Sequence, residues 1–152
     1  MTPFKAPPDY PKWAEVAALI HRAFAYMEPI LGHKPAAAKV TEERLVQGAE
    51  IGSAYIVEDA GRPVASLFTR PSRDFPDALF VGGLAVDKSA RGQGLARKMM
   101  VLAEAEARQK GYAALTLDTG RALTDLHALF LHLGFEEVPG TGDVITFRKP
   151  LA

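Results

Sequence analysis

The stretch from Ala78 to Gly111, ALFVGGLAVDKSARGQGLARKMMVLAEAEARQKG, constrains the fold more than any other part of the chain. Ala78 to Val86 is an uninterrupted apolar run of strand length with β-branched Val81 and Val86, the pattern of a central strand covered on both faces. Gly82 and Gly83 add no packing there. Glycine inside a strand marks a bulge or the close approach of a backbone or ligand, and the expectation here is a ligand. After Asp87 to Ala90 a helical period begins: Leu95, Met99, Leu102 and Ala103 share one stripe, while Arg97, Lys98, Glu104 and Arg108 fall away from it. Gly111 suits the left-handed position that ends a helix, and Arg108 and Lys110 favour the negative end of its dipole.

At the start of that helix the electrostatics invert. Unpaired N–H groups and partial positive charge point outward, Gly92 and Gly94 let an anion reach the backbone without Cβ clashes, and Arg91 adds a full charge. The segment is expected to cradle a pyrophosphate. A dinucleotide fingerprint would need glycine where Arg97 stands, and the Gly-Lys-Ser/Thr of a P-loop is absent.

Arg91-x-x-Gly94-x-Ala96 following Leu84-Ala85-Val86 resembles the signature of the GNAT superfamily of acyl-CoA-dependent N-acyltransferases. Leu117-Asp118-Thr119-Gly120 and Leu129 to Phe135, ending in Gly-Phe, are similar to that family's next strand and closing helix. The resemblance is specific from Ala78 to Val138. It implies an α/β (α+β) fold: a mixed, largely antiparallel sheet flanked by helices, with a parallel central pair splayed around a CoA site. It also implies transfer of an acetyl group from acetyl-CoA to a primary amine of a small molecule or protein. The backbone of Leu84, Ala85 and Val86 would pair with the pantetheine arm, and Arg91, Gly92, Gln93, Gly94, Leu95 and Ala96 would hold the pyrophosphate.

Two departures bear on catalysis. Many relatives carry a base glutamate on the central strand, but none of its side chains here ionises, so a water relay is expected, with Glu28, His33, Asp77 and Asp118 as candidate termini. Phe130 stands where the family has a tyrosine that protonates the thiolate; it joins the residues expected against the cofactor. His127, one helical turn earlier, becomes a candidate donor. The catalytic set read from the sequence is Asp118, His127 and Glu28. The alternative reading, suggested by both missing groups, is a catalytically silent acyl-CoA binding or sensor module. A structural protein without a ligand is a third.

Composition narrows the partners. Lys plus Arg and Asp plus Glu each number 18, with no block of like charge, which argues against nucleic acid or an anionic membrane as partner. Absence of cysteine excludes disulfides and thiolate chemistry. His21, His33, His127 and His132 lack metal-ligand spacing, so no metal is expected. The start, MTPFKAPPDYPK, has no apolar signal core, and the chain reads as cytoplasmic. One domain over residues 1–152 is expected, with a homodimer left open.

The remaining elements follow from local pattern. A short edge strand is expected within Thr2 to Lys5, then a helix capped by Asp9 and running to about Tyr26. Breaks at Pro29, Gly32 and Pro35 precede a helix capped by Thr41. Ser53 to Glu58 and Pro63 to Arg70 form a hairpin around Asp59 to Arg62. Ala113 to Asp118 forms the parallel partner of the central strand, and Thr124 to Leu133 a short helix. A last hairpin pairs Phe135 to Val138 with Asp143 to Arg148.

Overall fold

The structure, a computed structural model, describes residues 1–151. In chain order the elements are β1 (Phe4–Lys5), α1 (Trp13–Phe24), α2 (Met27–Leu31), α3 (Glu42–Ile51), β2 (Ser53–Asp59), β3 (Arg62–Pro71), β4 (Ala78–Val86), α4 (Leu95–Gln109), β5 (Ala114–Gly120), α5 (Thr124–His132), β6 (Glu136–Glu137) and β7 (Val144–Pro150), with 3₁₀ turns at Ala36–Lys39 and Lys88–Ala90. The strands form one seven-stranded sheet in the order β1-β2-β3-β4-β5-β7-β6. Every neighbour pair is antiparallel except β4 and β5, which the α4 crossover makes parallel. This is the mixed, largely antiparallel sheet expected from the sequence.

Alternation along the strands sorts side chains onto two faces. Tyr55, Val57, Leu67, Leu79, Leu115, Leu117, Ile145 and Phe147 bury one face against Leu95, Met99 and Ala103 of α4 and Phe130 of α5. Ala54, Ile56 and Ala85 bury the other against Trp13, Val16 and Ile20 of α1 and Leu45 of α3. Glu106 of α4 is a buried charge on the first face, where it accepts from Tyr55 Oη at 2.6 Å, Thr69 Oγ1 at 2.9 Å and Lys110 Nζ at 3.0 Å. Burial alone would raise its carboxyl pKa, but the donors, Tyr55 and Lys110 foremost, outweigh burial and hold it below its ordinary value of 4.5.

Glu106→Ala is therefore expected to strand Tyr55 and Thr69 without an acceptor. It should cost about 3 kcal/mol and lower Tm by about 10 °C in a calorimetric melt. A depressed folded-state carboxyl stabilises above its unfolded pKa and stops doing so as pH falls through the folded value. The wild type should thus lose stability below pH 4.5 more steeply than the variant.

Several local expectations need correction. Asp9 does not cap α1: the helix begins after Lys12 with no side-chain cap, because Tyr10 N–H turns back to Pro7 O at 2.9 Å. The helix stops at Phe24. The Pro29 segment is not merely broken; it forms the one-turn α2, where proline in the first turn needs no N–H partner and Gly32 (φ 79°) closes the end. Thr41 caps α3 as expected, accepting Arg44 N–H at 3.3 Å. The final hairpin keeps only two residues on its first strand.

Candidate active site

Beyond its first three pairs, Ala78↔Ala114, Leu79↔Leu115 and Phe80↔Thr116, β4 leaves β5. Each strand stays with its other neighbour: β4 remains paired to β3 through Val86↔Ala65, and β5 to β7 through Gly120↔Val144. The sheet parts there. Main-chain groups of β4 after Phe80 and of β5 after Thr116 face each other across the gap without ladder partners, a place where an extended, amide-bearing ligand can be hydrogen-bonded. Thr119 Oγ1, on the diverging part of β5, is buried without a hydrogen-bond partner.

Gly83 creates the geometry of β4 at this point. Ser66 pairs with Ala85 and Phe68 with Gly82, so one residue of β3 opposes Gly83 and Leu84 together, a β-bulge with Gly83 at φ 58°. The extra residue shifts the alternation. Leu84 and Val86 turn to the α4 side while Ala85 stays with α1. A Cβ on Gly83 would lie 2.7 Å from Phe68 Cδ1, and one on Gly82 would lie 3.1 Å from Phe80 Cε1. The chain's own aromatic rings thus account for both glycines, and the ligand inferred from them in the sequence is not needed to explain their size.

The gap opens toward the start of α4. The intervening loop is pinned: Asp87 N–H reaches Val64 O at 2.8 Å, and the Asp87 carboxylate accepts from Ser89 Oγ at 2.5 Å and pairs with Arg22 at 3.4 Å. These donors, Ser89 first, lower its pKa. Helix α4 then starts at Leu95 behind Gly94 at φ 70°, with Gly92 at φ 81°. A Cβ on either glycine would meet no atom within 4 Å, so the left-handed backbone requires glycine there and crowding does not. The first turn holds no acidic residue and no side-chain cap, and instead carries Arg97 and Lys98. Among the described residues no acceptor meets the N–H groups of Gly92 to Arg97. Cations against the positive end of a dipole are unfavourable by themselves. An anion would relieve both the charge and the unpaired donors.

The catalytic candidates scatter. Asp118 lies on β5 two residues past the parting point, on the face opposite α4, and accepts from Thr146 Oγ1 at 2.8 Å. His127 sits on α5 with Nε2 2.9 Å from Gly120 O and its ring 5.5 Å from that of Phe147. A ring nitrogen facing a carbonyl must donate, so that nitrogen is committed to the turn between β5 and α5. Phe130 is buried between Phe135 and Phe147, at centroid distances of 6.3 and 5.8 Å. Glu28 is exposed on α2, and His33 contacts its neighbour Lys34 O at 3.0 Å. Asp77 forms a bidentate pair with Arg148 at 3.0 and 2.6 Å, before β4 begins, and its carboxylate is thereby engaged. No group of three or more His, Asp or Glu residues able to hold a metal occurs among the described residues.

Sequence reading missed the residues around Asp118. A cavity of about 290 Å³ lies at the parting point, lined by Arg70, Arg73, Phe80, Thr116, Asp118 and Thr146 among others. The available signal was alternation: Ser66, Phe68 and Arg70 on β3 and Thr116 and Asp118 on β5 recur at period two, which aims them to one face. Nothing local shows that the two strands bring Arg70 and Asp118 to one cavity.

The model of the Acetyltransferase (GNAT) family matches residues 13–135. Over 48 residues the chain is 42% identical to the uncharacterized N-acetyltransferase YjgM of Escherichia coli K12, a match spanning 32% of this chain and 29% of that protein. Among solved structures, the PaiA N-acetyltransferase of Thermoplasma acidophilum in complex with coenzyme A superposes with TM-score 0.79 at 10% identity, covering 99% of both chains. The ribosomal-protein-S18-alanine N-acetyltransferase of Escherichia coli gives 0.73 at 20% identity, covering 99% of this chain and 95% of that one. At these identities the structural matches show a shared fold.

Proposed function

The chain belongs to the Acetyltransferase (GNAT) family, and from that premise we propose that it works as a single domain that moves an acetyl group from acetyl-CoA to a primary amine. Membership supports acyl transfer from acyl-CoA; the acetyl group and the amine acceptor are our reading. The observation that carries it is the parting of β4 from β5 after Phe80↔Thr116, continuous with a glycine-bounded, acid-free helix start.

The cosubstrate supplies an activated thioester. Arg91 and the N–H groups of Gly92 to Ala96 hold its phosphates, and the free main-chain edge of Leu84, Ala85 and Val86 aligns its amide arm. Such positioning converts a bimolecular encounter into an oriented one. The amine nitrogen must be neutral to attack. Asp118, on the face away from α4, takes the ammonium proton before the C–N bond forms, and the second nitrogen proton leaves to water as the C–S bond breaks. Water returns a proton to the departing thiolate, because Phe130 has none to give and His127 Nε2–H is engaged by Gly120 O.

His127→Ala is accordingly expected to reduce turnover less than about tenfold and leave the pH profile unchanged; loss of about 100-fold together with an ionisation would assign it general acid catalysis. The acyl transfer itself is tested by incubating the protein with acetyl-CoA and a mixed library of amines. Mass spectrometry should find a product heavier by one acetyl group, formed only with enzyme. Binding of acetyl-CoA without any such product would favour the silent binding module.

A further inference from the structure

We infer that the acceptor is a primary amine that also carries a carboxylate, an amino acid or a short molecule ending like one, held in the cavity between β3, β4, β5 and β7; this inference rests on the acyl-transfer reading above. The cavity opens where β4 and β5 part, on the face opposite α4. Its charges are arranged for a zwitterion. Arg70 stacks its guanidinium 4.1 Å over the Phe80 ring, is half-buried and, among the described residues, makes only a 3.3 Å bond to Pro71 O. Among the described residues neither Arg70 nor the adjacent Arg73 pairs with a carboxylate. Asp74 lines the same cavity and, with Asp118, lies near enough to act on the Arg70 charge, but neither is in ion-pair contact with it; an arginine desolvated on one face by an aromatic ring and without a contacting carboxylate is a ready carboxylate fork.

Asp118 supplies the opposite charge. Thr146 occupies one of its oxygens at 2.8 Å, leaving the other for an ammonium group. A separate observation points to a ligand here: Thr116 lines the same cavity, is 1% exposed, and its Oγ1 has no hydrogen-bond partner. A buried hydroxyl left unpaired is costly, and a polar ligand would satisfy it. Thr116 belongs to the last pair before the strands part, so an acceptor resting on it stands beside the gap proposed for the thioester. With its carboxylate on Arg70 and its ammonium on Asp118, the amine is delivered to the reacting end of that gap.

The test uses matched sets: leucine, leucinamide and 3-methylbutylamine, and phenylalanine, phenylalaninamide and phenethylamine. Each is measured twice on the full chain, as the rate of acetyl transfer and as heat of binding to protein saturated with CoA. We expect the amino acid to exceed its decarboxylated partner by at least roughly 30-fold in kcat/KM and in affinity, the scale of a charge-assisted bidentate contact. Arg70→Gln should reduce that ratio below about threefold with CoA affinity unchanged, and Arg70→Lys should restore part of it. Equal or better use of the amide or the plain amine by wild type would overturn the inference. So would a ratio that survives Arg70→Gln. Preferential binding of the amino acid without acetylated product would uphold the cavity's selectivity while refuting the acyl-transfer reading, so the two failures are separable.

Discussion

Ala96→Glu should weaken CoA binding by about 100-fold in a calorimetric titration and leave the unliganded fold as stable as wild type or slightly more so. The substitution separates two effects that usually travel together. A carboxylate in the first turn of α4 complements the helix dipole, worth about 0.3–1 kcal/mol to the apo protein, in a turn that holds Arg97 and Lys98 and no acid of its own. The same carboxylate would lie beside the N–H groups of Gly92 to Arg97, where a phosphate is proposed to sit. Two negative charges about 4 Å apart near a surface repel by about 4 kcal/mol, and salt screens part of that. Ala96→Gln is the control. It adds nearly the same bulk without charge and should cost less than about fivefold. Gly94→Val would be a poorer probe, because Gly94 sits at φ 70° and a β-branched residue there strains the backbone whether or not a ligand is bound.

Gly83→Val should destabilise the protein by about 3–5 kcal/mol, the largest stability loss expected from a change at the gap. Left-handed backbone at φ 58° costs a β-branched residue about 1–2 kcal/mol. The remainder comes from overpacking, since the new Cβ would approach Phe68 Cδ1 to 2.7 Å and the ring is hemmed in by Trp13, 6.0 Å away between centroids. The two terms are separable by a double-mutant cycle. Phe68→Leu in the Gly83→Val background should recover about 1–2 kcal/mol by relieving the clash, and the backbone term should persist. Purely additive losses would show that Phe68 is not what Gly83 makes room for.

Legibility in the sequence followed the range of the interaction. The long apolar run, the stripe from Leu95 to Ala103 and the left-handed Gly111 are local features, and all three appear in the structure as β4, α4 and its end. The β4–β5 parallel pair follows from the length of the crossover. At the helix start the sequence reads Gly92 and Gly94 as clearance for an anion; the fold adds a second reason, positive φ, which no side-chain pattern displays. Misread elements were decided by contacts distant in sequence. One-turn α2 forms around Pro29 because Met27 is buried and Leu31 packs on Gly120, where a Cβ would come within 2.8 Å of Leu31 Cδ2. Asp9 looked like a cap, but the chain there is drawn into a turn by Tyr10 and held by Trp13 Nε1–H to Pro8 O at 3.0 Å.

The candidate site divides along the same line. Arg91 to Ala96 could be proposed from the sequence because a helix terminus and its loop are contiguous. The cavity of Arg70, Thr116 and Asp118 could not, because its side chains arrive on separate strands whose register is set by the Gly83 bulge and the β5–β7 ladder. His127 illustrates the converse. Its spacing from Phe130 suggested a donor, and the fold gives its Nε2 a carbonyl partner instead.

The most direct test of the account is amide hydrogen exchange, resolved by residue, with and without acetyl-CoA. The proposal that the cosubstrate lies along the parted edge of β4 and on the start of α4 predicts slowed exchange at amides within Gly82 to Val86 and Gly92 to Arg97, with β2 and the α1–α3 side little changed. Saturating acetyl-CoA that slows neither segment, or that protects a different part of the sheet, would contradict it.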